Sequence, residues 1–237
     1  MKLSSSLVFV LYWAVLCIDC VFLFNHLDEY RHYTKPLIIP VLYILMALET
    51  GETSHKRSKL IVSLLLLFSF VGDLLLLNTT EKSFFTFGLL SFLVVHILYA
   101  LFFFRIKHFA LKNAGTVALA LVVVAVYQYF LLSAIWGKIK ENDLTIQVVV
   151  YSLSLSLMFI SAFNTSTGKR ARKVALKNFI PGAVLFVLSD SLIAVSKFYP
   201  FVNPPIDLPV YMGCAVMLTY GGAQVLLVLG AVKFIKN

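Results

Sequence analysis

Eight apolar runs, at about 6–24, 35–49, 60–77, 84–104, 114–136, 144–163, 179–197 and 209–234, follow one another with only short polar breaks between them. About 20 such residues are needed to carry a helix through the hydrocarbon of a bilayer. In that medium each backbone N–H and C=O has to find its partner within the protein, which a helix arranges along its own length. The composition agrees: of 237 residues 60% are hydrophobic and 13% charged, with a mean hydropathy of +0.92, whereas soluble chains carry about 25% charged residues. The length suits roughly seven to nine spans and leaves no room for a separate soluble domain. Residues 1–237 are therefore expected to form one all-α integral membrane domain, a polytopic bundle of about eight helices.

The second run is short and opens at Lys35-Pro36, where proline suits a first helical turn; Pro40 is expected to kink or shorten it. Lysine and arginine divide unevenly between the two sides, 14 on the side of both termini and of the loops after runs two, four and six, against 6 in the alternate loops. The positive-inside tendency then puts both termini in the cytoplasm. The same scatter argues against nucleic acid as a partner, because a net charge of +9 spread over short loops is not a single basic patch. Gly168 to Lys173 (GKRARK) is the richest loop and reads as a topology anchor, with contact to anionic lipid as the alternative. Phe198 to Pro209, rich in proline, reads either as an ordinary connection or as a rigid rim over a site. The amino terminus looks like a signal sequence without a small-residue cleavage site, so an uncleaved first span is expected, in the cell (inner) membrane if the source is bacterial. Cys17 and Cys20 have CxxC spacing but no βαβ context, and with Cys214 they read as packing thiols.

Polar residues inside the runs raise the functional question. Asp73 interrupts Leu64 to Leu77 (LLLLFSFVGDLLLL), and Asp190 interrupts LFVLSDSLIAVSK, flanked by Ser189 and Ser191. An isolated charge at the bilayer centre costs roughly 2.5–3.5 kcal/mol on insertion scales, so each aspartate must be protonated, paired or hydrated. Runs three and seven enter from the same side, which places both carboxyls beyond the midpoint at comparable depth, where they can share one cavity. Asp19, near the same end of run one, reads as a wet structural group. His96 and Tyr99 lie one turn apart on run four, Tyr220 and Gln224 one turn apart on run eight beside Gly221-Gly222, and Tyr151 lies within run six. Each alone is an ordinary interhelical hydrogen-bonding group. Together they suggest a buried polar pocket, with His96 either packed or orienting a carboxylate or a substrate phosphate. Lys35 either snorkels or meets a phosphate at the rim.

Several chemistries drop out. Only His96 of the five histidines is deep, too few for an intramembrane zinc site, so no metal is expected. There is no GxSxG, HExxH or P-loop. An intramembrane aspartyl protease would carry GxGD, but Phe70 stands where its first glycine belongs and Ser189 precedes Asp190 in place of tyrosine.

Five segments in order, TKPL (Thr34 to Leu37), VGDLLLL (Val71 to Leu77), HILY (His96 to Tyr99), GAVLFVLSDSLIA (Gly182 to Ala194) and TYGGAQ (Thr219 to Gln224), give the chain its resemblance to the YhhN family of membrane proteins, to which lysoplasmalogenase belongs. The resemblance implies hydrolysis of the vinyl ether bond of lysoplasmalogen to a fatty aldehyde and glycerophosphoethanolamine or glycerophosphocholine, with Asp73 and Asp190 as the essential acids. It implies a lysophospholipid substrate in contact with membrane lipids, and no cofactor.

That chemistry suits the residues. Enol-ether cleavage needs a proton delivered to the β-carbon and water to trap the resulting oxocarbenium ion. A carboxyl group kept from water, or set beside a second carboxylate, favours its protonated form, while an ionised partner stabilises the cation and activates water. Either aspartate could be the acid; the more apolar neighbours of Asp73 favour it in that role, and the two serines beside Asp190 favour that residue as the base. Lys35, His96, Tyr99, Tyr151, Ser189, Tyr220 and Gln224 are the expected substrate-binding residues. The principal alternative is a transporter or lipid-binding protein using the same aspartates for protons or a cation; a structural protein with polar interhelical clamps is the third.

Overall fold

The computed structural model of the chain describes residues 4–53, 55–78, 81–199, 201 and 207–236. Among them there are no strands, and eight helices are each long and apolar enough to cross a membrane: α1 (Ser5–Phe24), α2 (Asp28–Thr50), α3 (Lys56–Leu75), α4 (Lys82–Ile106), α5 (Ala114–Glu141), α6 (Thr145–Thr165), α7 (Arg172–Phe198) and α8 (Leu208–Lys236). The expected bundle is the observed one.

Tight connections make most sequential helices antiparallel neighbours, the exception being α4, which packs against α3 and α6 rather than α5. Between α1 and α2 the chain reverses through His26 at φ 56°, and between α5 and α6 through Asp143 at φ 54°. Asn25 steadies the first turn by donating from Nδ2 to the Val21 carbonyl at 2.7 Å. Asp143 belongs to the residue types that tolerate left-handed backbone, because a short polar side chain bonds locally.

Helix α2 departs from expectation. It starts at Asp28, seven residues before the apolar run, and passes through Pro36 and Pro40 without ending. The amphipathic segment 28–34 is helical because Asp28 and Glu29 stand in the first turn, where negative charge suits the helix dipole. Lys35 is consequently not at the head of the helix but in its third turn, and it is buried. Helix α7 also begins early, with a π-helical turn at Ala175–Phe179. Half of the loop at 198–209, residues 200 and 202–206, lies outside the described residues, and with it the rim reading of that segment.

Helix α8 is the axis of the bundle. It is the most buried span, at 61% of its apolar window, and it packs against α1, α2, α3 and α7. Helix α5 is the least buried, at 22%, and lies outside against α6 and α7. Glycines bring the inner helices close. A Cβ at Gly221 would lie 2.5 Å from Leu16 Cδ2, and at Gly72 it would lie 2.6 Å from Phe92 Cε2. The Gly221 approach also lets the fully buried Tyr12 on α1 donate to the Gly221 carbonyl at 2.8 Å. These contacts set α3, α4 and α8 near enough for polar side chains to meet.

Candidate active site

On α3 the buried stripe ends in Ser69, Gly72 and Asp73, one turn of spacing that turns the aspartate inward. Asp73 is 3% exposed, and its Oδ2 accepts a hydrogen bond from the Tyr220 hydroxyl at 2.8 Å. Tyr220 is itself held: Gln224 Nε2 donates to the Tyr220 oxygen at 3.2 Å and to Ser69 Oγ at 3.0 Å, while Tyr99 donates to Gln224 Oε1 at 2.9 Å. With its oxygen already accepting from Gln224, the tyrosine directs its proton at Asp73.

Asp190 on α7 sits in a second network. Its Oδ2 accepts from the Tyr151 hydroxyl at 2.8 Å and lies 3.3 Å from His96 Nε2. The other ring nitrogen, Nδ1, is 3.3 Å from Ser154 Oγ, which donates its own proton to the Tyr151 carbonyl at 2.7 Å. Ser154 can therefore only accept from the ring, so Nδ1 carries hydrogen and a neutral imidazole would turn a bare lone pair toward the carboxylate. Within the described residues Nε2 has no aligned hydrogen bond, so the 3.3 Å approach to Asp190 is an electrostatic contact rather than a well-formed bond. The imidazole is fully buried, with its ring edge-on to Tyr151 at 4.9 Å and to Phe186 at 5.1 Å.

The two networks meet. Asp73 and Asp190 line a single internal cavity of about 30 Å³ together with Lys35, Ser189 and Tyr220, room for a water or two. A second, apolar cavity of about 50 Å³ lies on the other side of Asp190, between α4, α5, α6 and α7, with Phe85, Leu89, Leu132 and Phe198 in its wall. A third, of about 320 Å³, opens at the end of the bundle opposite the termini and is lined by Arg31, Lys35 and Lys197. Leu76 and Ile193 border all three.

A family model described as the YhhN family matches residues 30–231. The chain belongs to the YhhN family. Two curated relatives, both named lysoplasmalogenase, come from Mycobacterium bovis (strain ATCC BAA-935 / AF2122/97) and Mycobacterium tuberculosis (strain CDC 1551 / Oshkosh). Each is 31% identical over 176 residues, which is 74% of this chain and 61% of the relative's own length. The match thus spans less than two thirds of those proteins. No solved structure is a significant match.

In this YhhN chain each of the five motif segments places a residue in the polar networks or the cavity: Lys35, Asp73, His96 with Tyr99, Asp190, and Tyr220 with Gln224. Not all stand in the same layer. Tyr99 and Gln224 lie behind Tyr220, and His96 lies behind Asp190, so their contacts are to protein side chains. Ser189 lines the cavity, but its hydroxyl donates to the Val216 carbonyl at 3.3 Å, and Ser191 donates to the Val187 carbonyl at 2.6 Å. The expected solvation of Asp190 by two serines is thus replaced by Tyr151 and His96. Asp19 is not wet: it is fully buried, accepting from Thr34 Oγ1 at 2.8 Å and pairing with Arg31 Nη2 at 3.3 Å.

Arg31, Lys197, Ser154 and Phe92 escaped the sequence reading. Lys197 follows Asp190 by seven residues, a same-face spacing on a helix. Arg31 precedes Lys35 by four, a spacing that carries meaning only once α2 is known to begin at Asp28.

Proposed function

We propose that this protein is a membrane hydrolase that cleaves the vinyl ether bond of a lysoplasmalogen, releasing a fatty aldehyde and a glycerophospho-ethanolamine or -choline. The observation that carries the reading is the convergence of two carboxyls, from α3 and α7, on one small buried cavity bordered by both a cationic and an apolar compartment. The relatives' name supports the reaction class, and both termini are assigned to the cytoplasmic side on the distribution of lysine and arginine.

Asp73 is the acid. With Oδ2 accepting from Tyr220, a proton on Oδ1 is free for the cavity and passes to the β-carbon of the enol ether. The electrons of the C=C bond form the new C–H bond, leaving an oxocarbenium ion. Lys35, lining the same cavity, meets the carboxylate that Asp73 becomes. Asp190 takes one proton from a water whose oxygen bonds to the cationic carbon, giving a hemiacetal. Collapse returns the hemiacetal hydroxyl proton to Asp73 and sends the proton on Asp190 to the departing glycerol oxygen. One water is consumed and both acids are restored. The Tyr151 hydroxyl holds Asp190 in place while its charge changes, with the His96 ring packed beside it.

Purified protein in detergent, supplied with lysoplasmalogen and assayed for free aldehyde, tests the proposal directly. Asp73→Asn and Asp190→Asn should each abolish release in protein that still unfolds cooperatively. Retained turnover in both would reject the mechanism, and transport of unchanged lipid across sealed vesicles would identify a carrier instead.

A further inference from the structure

The 320 Å³ vestibule presents three cationic side chains, Arg31, Lys35 and Lys197, and no acidic residue among its lining residues. Arg31 and Lys197 have no part in the proposed cleavage step, and Lys35 reaches from the vestibule into the inner cavity. Arg31 is fixed by protein carboxylates on its terminal nitrogens, Nη2 with Asp19 at 3.3 Å and Nη1 with Asp28 at 3.6 Å. Its Nε is buried and has no hydrogen-bond partner among the described residues. A buried donor left over in this way costs about 1–3 kcal/mol unless something accepts from it. Lys35 is likewise buried, and no carboxylate lies within ion-pairing distance of it among the described residues. Lys197 Nζ lies over the Phe85 ring at 5.0 Å, at the boundary with the apolar cavity.

We propose that Arg31, Lys35 and Lys197 form a binding site for the phosphodiester of a single-chain glycerophospholipid. The inference rests on the proposed function for what lies beyond the phosphate. Asp19 and Asp28 occupy the terminal nitrogens of Arg31, and the buried Nε–H that neither takes is left to direct a phosphate oxygen, with Lys35 and Lys197 lining the same space. Lys35 borders both the vestibule and the cavity of the two aspartates. A phosphate held at the three cations leaves the glycerol to pass the Leu76 and Ile193 collar, which sets the first ether linkage beside Asp73 and Asp190. The first carbons of the chain then enter the apolar cavity beyond Asp190. Asp19 is a positioning residue: it holds Arg31 from α1 while Thr34 holds Asp19.

Equilibrium binding in detergent tests the site without relying on turnover, using lysophosphatidylcholine, the matching monoacylglycerol, and inorganic phosphate as probes. Wild-type protein should bind the phospholipid about tenfold or more tightly than the monoacylglycerol. Lys197→Gln, close to the mouth, and Arg31→Lys, which keeps the charge facing Asp19 but removes Nε, should each weaken lysophosphatidylcholine by about five- to tenfold and leave the monoacylglycerol unchanged. Equal losses for both lipids, or no preference in the wild type, would overturn the proposal. Inorganic phosphate displacing lysophosphatidylcholine at low millimolar concentration without any contribution from the chain would assign the cations to free phosphate and overturn the lipid headgroup. Preserved selectivity in a protein that releases no aldehyde from lysoplasmalogen would leave this site standing and remove the hydrolase.

Discussion

Tyr220→Phe separates the proposed acid from the proposed base. The hydroxyl donates to Asp73 Oδ2 at 2.8 Å, and its removal leaves Gln224 Nε2 still donating to Ser69 Oγ at 3.0 Å but frees the second amide proton, which it had given to the Tyr220 oxygen at 3.2 Å. Folding should therefore lose about 1–3 kcal/mol. Catalysis should lose in a defined way. If Asp73 is neutral before proton transfer and charged after it, the bond changes from a neutral one of about 0.5–1.5 kcal/mol to a charge-assisted one of about 1.5–3 kcal/mol. The difference, about 1–1.5 kcal/mol, appears only as the transition state forms, and it corresponds to roughly a five- to tenfold fall in the rate of the chemical step. Tyr151→Phe touches a carboxylate whose charge is already present before protonation of the lipid, so the same step should slow less. Single-turnover aldehyde release, which is independent of product departure, measures both variants. A larger effect from Tyr151→Phe than from Tyr220→Phe would reverse the roles of the two aspartates, and no effect from either would refute the hydrogen-bond argument.

The remaining predictions concern packing, topology and metal dependence. Gly72→Ala should cost about 1–3 kcal/mol and reduce turnover, because its Cβ would lie 2.6 Å from Phe92 Cε2 and that ring borders both the 30 Å³ and 50 Å³ cavities; adding Phe92→Leu should restore part of the stability in a thermal melt. Asp19→Asn should destabilise the fold by up to about 3–5 kcal/mol, the range for breaking a buried pair, toward its lower end because Arg31 keeps 15% exposure; unchanged unfolding in detergent would contradict a buried role. Lys169→Cys in a background lacking the three native cysteines should label only from the cytoplasmic side, and labelling in intact cells by an impermeant reagent would invert the topology. A chelator should leave aldehyde release unchanged, and loss of activity with recovery on adding a metal would require ligands from beyond the described residues, which hold no cluster of metal-binding side chains.

The bundle was legible because lipid leaves few options: once every run of apolar residues reaches span length, helix number and antiparallel order follow. The convergence of Asp73 and Asp190 was legible for a related reason, since alternate helices run in opposite directions and a residue's place along its run fixes its depth. Azimuth was not. Whether Ser189 and Ser191 point at Asp190 depends on carbonyl groups one turn back and across on α8, which accept their protons and which no one-dimensional pattern reveals. Helix α2 was truncated for the opposite reason. Hydropathy marks where lipid begins, but the helix begins where its first turn is electrostatically suited, at Asp28 and Glu29. That error concealed the spacing of Arg31 and Lys35, and with it the vestibule. Asp19 looked wet because it lies near a helix end, whereas the early start of α2 brings Arg31 and Thr34 over it.

A hydrolase embedded in a membrane must bring water and a lipid to the same bond without making a channel between them. In the proposed mechanism the two arrive from different compartments. On that reading the polar vestibule at the end of the bundle would supply water and take the charged headgroup, while the apolar cavity under the peripheral α5 would take the first carbons of the chain; Leu76, Ile193 and Phe85 stand between the two. The reacting cavity between has room for one or two waters. An oxocarbenium ion formed there would meet water activated by Asp190, in a cavity walled by buried side chains. Such an arrangement favours a substrate with one chain, since a second chain on the middle carbon of the glycerol would have to lie in the cationic vestibule. Selectivity for lysolipids over intact plasmalogens would then come from the charge of Arg31, Lys35 and Lys197 as much as from volume. Replacing Lys197 with leucine should relax it, raising cleavage of the two-chain lipid relative to the single-chain one in a direct competition assay. An unchanged ratio would place the discrimination elsewhere.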